Sequence, residues 1–150
     1  MKTLKDLKDN LDGRPVFVTG ADGFVGSHVV DKLVELGAEV HALVRATSSG
    51  KLRNIEHYRK RVTIHRGDIQ DYVSVRTELA QLKGKQGIIV FHLAAQAHVG
   101  ESWTRPLETV TANVIGTLNL LQACLDLNLD LHKFDTAGTS EEYGNINPQI

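Results

Sequence analysis

Apolar residues in this chain recur in short unbroken runs and, between them, in stretches with three- to four-residue spacing. The first pattern predicts buried strands and the second amphipathic helices. Leucines at 4, 7 and 11 predict a short surface helix. Val16-Phe17-Val18 centres a strand over 14–19, and a helix follows over 24–36, with Val25, Val29, Leu33 and Leu36 as its apolar face and Gly37 as the left-handed residue that ends it. Strands are predicted at 38–44, 61–65, 86–93 and 131–136, and helices at 51–59, 71–82 and 106–127. Ile88-Ile89-Val90-Phe91 is an unbroken run suited to a strand covered on both faces. In the long helix, Leu107, Val110, Val114, Leu118, Leu121 and Leu125 form one stripe, expected to pack on the sheet.

Strands that alternate with helices imply right-handed crossovers and a parallel sheet. The fold class read from this pattern is α/β, a Rossmann-type doubly wound sheet of about five strands in the order 3-2-1-4-5. At 150 residues the chain is one domain on length. Apolar residues make up 41% and charged residues 23%, which excludes a disordered tail or a disulfide scaffold. The formal net charge of −1 leaves no global field for nucleic acid or an anionic membrane, so any anion site must be local. The lone Cys124 permits neither an internal disulfide nor a paired-cysteine metal clamp. No apolar run is long enough to span a membrane, and charged residues precede the first one where a secretory signal would be apolar. The expected location is cytoplasmic.

Gly20, Gly23 and Gly26 lie between the first strand and the first long helix, spaced GxxGxxG. Glycine at the first position permits a sharp turn. At the second it admits backbone N–H groups to a diphosphate, and at the third it lets the helix pack close to the sheet. The helix N-terminus then faces the anion. No Gly-Lys-Ser/Thr follows, which argues against a nucleotide triphosphatase loop. The second strand ends at Arg45, where an NAD site would place a carboxylate for the ribose. A guanidinium suits a 2′-phosphate instead. NADP is therefore the expected cofactor, with NAD the alternative.

TGADGFVGSHVV at 19–30, GDI at 67–69, HLAAQAHVGESW at 92–103, NVIGTLNLLQA at 113–123 and AGTSEEYG at 137–144 together resemble the extended short-chain dehydrogenase/reductase superfamily. The stretch at 39–58 is similar to the NADP-binding part of GDP-mannose 4,6-dehydratases. The resemblance implies that Gly20, Gly23, Phe24, Val25, Gly26, Arg45, Asp68, Ile69, Leu93, Ala94 and Ala95 bind the cofactor, with Asp68 at the adenine and Leu93–Ala95 along the dinucleotide. It also implies catalytic roles for Thr139, which bonds the sugar hydroxyl to be oxidised, and Glu141, which takes the C5 proton. Among substrate-binding positions, the resemblance implies that Ser102 lies near the sugar and that Asn113, on the long helix, supports the site. Without the resemblance, Asp68 reads as a turn former and Thr139 as a strand-end hydroxyl. The implied enzyme is a nucleotide-sugar 4,6-dehydratase (a lyase). Epimerases and keto-sugar reductases of the same superfamily, or a dinucleotide-binding module without chemistry, are the alternatives. A homodimer or higher homo-oligomer is implied too, with Ile115 and Leu120 of the long helix as candidate interface residues.

The superfamily uses a Tyr-x-x-x-Lys pair. Four residues after Tyr58, Tyr72 and Tyr143 stand Val62, Arg76 and Asn147. The chain thus reads as the N-terminal, dinucleotide-binding portion (1–150) of a longer enzyme, incomplete at its C-terminus and without the substrate-binding part. It is expected to bind a dinucleotide without turning over, and its fifth strand to be an exposed edge that favours self-association. His92 and His98 show no metal-ligand spacing and read as hydrogen-bonding residues, so no metal site is expected. Trp103 is placed in a loop as a packing residue. Asp135 stands in an apolar strand without an evident partner.

Overall fold

The computed structural model describes residues 4–45 and 52–144; the side chains of Ser140 and Glu141 lie outside that description. A surface helix α1 (Leu4–Leu11) leads into β1 (Pro15–Thr19), α2 (Phe24–Glu35), β2 (Glu39–Val44), β3 (Thr63–Arg66), α3 (Tyr72–Leu79) and β4 (Ile88–His92). Then come α4 (Val99–Thr104), α5 (Pro106–Val110), α6 (Gly116–Asp126) and β5 (Leu131–Thr136). The strands form one parallel sheet in the order β3-β2-β1-β4-β5, as the alternating pattern predicts. β1 is central and buried along its whole length. Val16, Val18, Val30, Leu33 and Val40 fill one face of the sheet, and Phe17, Val75, Leu79, Val90 and Leu120 fill the other.

Local chemistry explains the boundaries. Gly37, at φ +84°, ends α2; its N–H donates to the Val34 carbonyl and the N–H of Ala38 to that of Leu33. Asp71 caps α3 by accepting the N–H groups of Val73 and Ser74.

Five expectations are corrected. The helix predicted at 51–59 is a run of turns around a single 3₁₀ turn, Glu56–Tyr58 (Lys51 lies outside the described residues). Here the N–H groups of Arg53 and Asn54 donate to the Asp22 carboxylate, at 3.3 and 2.8 Å, and Leu52 and Ile55 are buried. On α2 the buried face is Gly26, Val30, Leu33 and Val34, while Val25 is exposed, because Gly26 must seat against the glycine loop.

The long helix is one rod in which a π-helical turn (Thr111–Ile115) joins α5 to α6, and its orientation is the reverse of the expected one. Leu107, Val110, Val114, Leu118, Leu121 and Leu125 face outward, and Ala112, Gly116, Leu120, Ala123 and Cys124 are buried. Small residues face the protein because the helix runs close to its neighbours: a Cβ on Gly116 would stand 2.8 Å from Ile69 Cδ1. Trp103 lies on α4 rather than in a loop, and at 84% exposure it packs nothing. Asp135 does have a partner, Lys133 Nζ at 2.7 Å, and both are solvent-exposed on β5, the outer strand of the described sheet.

Candidate functional site

All five strands end at the same rim, and two adjoining cavities open there. The first, about 490 Å³, is lined by Gly20, Gly23, Phe24, Val25, Gly26, Arg45, Asp68, Ile69, Leu93, Ala94 and Ala95, together with Asp22, Leu43, Val44, Leu52, Gly67, Ala97 and Ala112. Every cofactor residue expected from sequence is among them. Ligands of doubly wound sheets bind at this carboxyl rim.

The glycine loop is built for close backbone approach. Gly20 has φ +67°, and a Cβ there would lie 2.9 Å from the Ala94 nitrogen. A Cβ on Gly26 would lie 2.1 Å from the Gly20 carbonyl oxygen. Gly26 thus seats the helix against the loop itself rather than against the sheet. Gly23 is the N-cap of α2, and no side chain caps the helix. The first intrahelical bond runs from the Ser27 N–H to the Gly23 carbonyl, so the amides of Phe24, Val25 and Gly26 have no carbonyl one turn back. With the helix dipole, they make a site for an anion.

Sequence reasoning missed Asp22. Its carboxylate accepts the Arg53 and Asn54 amides, and its carbonyl accepts from the Asn54 side chain at 2.7 Å, which ties the glycine loop to the segment before β3. The acidic residue inside the loop was visible in sequence, but its partners lie more than thirty positions away. Across the mouth, Arg45 Nε stands 3.7 Å from Asp68 Oδ2. Asp68 is held in place: Oδ1 accepts the Gln70 N–H and its own N–H donates to Ser74 Oγ. Ile69 is buried, and its carbonyl accepts from the Asn119 side chain.

The second cavity, about 540 Å³, shares Val25, Leu93, Ala94, Ala95 and Ala97 with the first. It brings together Ser102, Asn113 and Thr139, the described residues expected to touch the sugar or support its site, with His92, Gln96, Thr117 and Glu142. Ser102 Oγ donates to the Val99 carbonyl. The Asn113 amide is spent on the backbone of Gln96: Oδ1 accepts its N–H at 2.8 Å and Nδ2 donates to its carbonyl at 3.1 Å. Asn113 therefore shapes the cavity wall. Glu141 belongs to a 3₁₀ turn, Ser140–Tyr143, but its side chain is outside the described set.

His92 is buried, and desolvation lowers its pKa below the ordinary histidine value. Among the described residues no group of three or more His, Cys, Asp or Glu is placed to hold a metal ion, and no helix is long and apolar enough to cross a membrane.

A parallel 3-2-1-4-5 sheet with a glycine loop, an open helix N-terminus and a second cavity beside the first defines a Rossmann-type protein of the extended short-chain dehydrogenase/reductase kind. Residues 17–150 match the family described as GDP-mannose 4,6 dehydratase, and the chain belongs to that family. It is 38% identical over 141 residues to the GDP-mannose 4,6-dehydratase sdnI of Sordaria araneosa, covering 93% of this chain and 25% of that protein. It is 39% identical over 116 residues to the CDP-glucose 4,6-dehydratase of Salmonella typhimurium, covering 77% and 32%. Among solved structures, the UDP-glucose 4-epimerase of Thermus thermophilus in complex with NAD superposes with a TM-score of 0.66 at 36% identity, over 77% of this chain and 35% of that one. The chain spans a quarter to two fifths of the length of the curated relatives it matches.

Proposed function

We propose that the chain is the dinucleotide-binding portion of an NADP-dependent nucleotide-sugar 4,6-dehydratase of the GDP-mannose type. The observation that carries this reading is the uncapped first turn of α2, which opens into a cavity bounded by Arg45 and Asp68. The residues fit a dinucleotide: Gly20 and Gly26 leave no room for a Cβ, so the loop backbone packs tightly, and the amides of Phe24 to Gly26 are left without a carbonyl partner one turn back, free for a diphosphate. Arg45 would meet the 2′-phosphate, Asp68 the adenine amino group, and Leu93 to Ala95 the face of the dinucleotide. When bound, that group would supply a hydride acceptor for the sugar C4 and a hydride donor for C6.

The chain's own residues do the rest. The Thr139 hydroxyl bonds the C4 hydroxyl of the sugar. The Glu141 carboxylate removes the C5 proton, which the 4-keto group makes acidic, as water leaves from C6. Ser102 lies beside the sugar, and Asn113 fixes the wall next to it. The tyrosine and lysine of the superfamily pair would come from chain beyond this sequence, a reading supported by the greater length of the relatives. A second copy is the proposed partner of the outward stripe on the long helix.

One observation favours a second reading. Asp68 stands close enough to Arg45 to offset its charge, which would suit NAD, the dinucleotide in the Thermus thermophilus epimerase structure. On that reading the enzyme is a nucleotide-sugar 4-epimerase. Calorimetry with NADP+ and NAD+ tests the cofactor, and tighter NADP+ binding is expected. Incubation of the full-length enzyme with GDP-mannose tests the reaction. A 4-keto-6-deoxy product is expected, and a C4 epimer would select the second reading.

A further inference from the structure

The parallel register places Thr19, the last residue of β1, beside His92, the last residue of β4. Their contact fixes every hydrogen around it. Thr19 Oγ1 accepts the N–H groups of Leu93 and Ala94, both at 3.1 Å, which uses its two lone pairs. Its own hydrogen therefore goes to His92 Nδ1, 2.7 Å away. Nδ1 being an acceptor, the ring hydrogen of the neutral imidazole sits on Nε2 and donates to Thr117 Oγ1 at 2.9 Å. Thr117 in turn donates to the Asn113 carbonyl at 2.7 Å, inside the π-helical turn. The Asn113 side chain then grips the backbone of Gln96. One chain of hydrogen bonds thus leaves the end of β1, crosses β4, enters the long helix and returns to the 93–97 loop. That loop walls both cavities.

We propose that His92 is a positioning residue that couples the two cavities. Its Nδ1 side acts through Thr19 on the Leu93–Ala94 wall of the first cavity. Its Nε2 side acts through Thr117 and Asn113 on the Gln96 wall of the second. The consequence for ligand affinity rests on the reading of the first cavity as a dinucleotide site; the wiring itself does not. Imidazole suits the position because it carries an acceptor and a donor at opposite ends of one rigid ring. Asparagine reproduces only the Nδ1 acceptor, and glutamine only the Nε2 donor.

These half-mimics supply the test. In His92→Gln, amide hydrogen exchange is expected to quicken at Leu93 and Ala94 while Gln96 stays protected. In His92→Asn, and in Thr117→Val, which leaves the ring in place, Gln96 alone is expected to quicken. Nitrogen-15 spectra of the unsubstituted chain should show the Nε2–H tautomer at neutral pH. Titrated with NADP+ and NAD+, His92→Gln should bind its preferred dinucleotide about 10-fold more weakly, the scale of one lost hydrogen bond, and His92→Asn nearly as well as the parent. An Nδ1–H tautomer, or equal exchange at all three amides in every variant, would overturn the wiring. Equal dinucleotide affinity in both His92 variants despite split exchange would overturn the coupling to binding. A parent chain that binds neither dinucleotide would sink the proposed function, and the exchange pattern would still decide the wiring.

Discussion

Burial leaves His41 and His92 poorly disposed to carry a proton. His41 is lowered below the ordinary histidine pKa first by desolvation and then by its neighbour His65, whose Nε2 lies 2.9 Å from His41 Nδ1, against a smaller opposing pull from Glu39. Lys85 from beyond α3 holds Glu39, and Glu78 of α3 meets His65. His92 is lowered by desolvation. For a histidine with a depressed native pKa, the unfolded chain takes up the proton first as the pH falls. Stability is therefore complete above the ordinary value near 6.5 and declines as the pH drops through it toward the native pKa, by at most about 1.4 kcal/mol per pH unit per group. The urea midpoint is expected to fall between pH 7.5 and 5.5, and a flat or rising midpoint would contradict this. Cys124 gives a second check at this scale. Burial pushes its thiol up to about 11, so thiol reagents at pH 8 should label it slowly until denaturant is added. Single residues were unevenly legible in the sequence. The glycine loop could be read because its chemistry is local, whereas Asp68, read on its own, is only a turn former, a role its bond to the Gln70 N–H fits. The partners of Asp22, Thr19 and His92 could not, because a parallel crossover brings them together from distant positions.

At the scale of elements, strands were easier to read than helix faces. A strand buried on both sides announces itself by an unbroken apolar run, and β4 falls within the predicted limits; β5, the part-exposed outer strand, falls at its own. A helix face is ambiguous when small residues do the packing. Periodicity favours Leu and Val, yet Ala112, Gly116 and Ala123 lie inward, and the π-helical turn inserts an extra residue into the count. Two substitutions on α6 separate the faces. Leu120→Ala should cost about 2–5 kcal/mol of stability, since Leu120 is fully buried. Leu118→Lys should cost within about 0.5 kcal/mol, since Leu118 is 54% exposed, while reducing association seen by light scattering. Reversed costs in a denaturant titration would restore the face read from periodicity. On α2, Gly26→Ala drives a Cβ into the backbone oxygen of Gly20, which cannot move aside like a side chain. A loss of about 1–3 kcal/mol is expected, with a matching loss of dinucleotide affinity.

For the molecule as a whole, charge decides how a polyanionic ligand is held. Seventeen basic residues against eighteen acidic ones leave no long-range field to draw it in. Attraction must come from the rim of the sheet, where the uncapped end of α2 and Arg45, at the end of β2, border the first cavity. Asp68, at the end of β3, opposes Arg45 from 3.7 Å. Since Arg45 is well exposed, the pull proposed for it on a 2′-phosphate would be screened by salt and worth about 1 kcal/mol. Arg45→Ala is therefore expected to weaken NADP+ about 5- to 10-fold, to leave NAD+ unchanged, and to remove most of the salt dependence that distinguishes the two. Asp68→Asn should shift preference the other way, by freeing the guanidinium while leaving an amide oxygen for the Gln70 N–H. Calorimetry of both variants at two salt concentrations measures all of this. Equal weakening of both dinucleotides in Arg45→Ala would mean that the arginine holds the loop and does not read the phosphate, and cofactor choice would then have to be sought elsewhere along the rim.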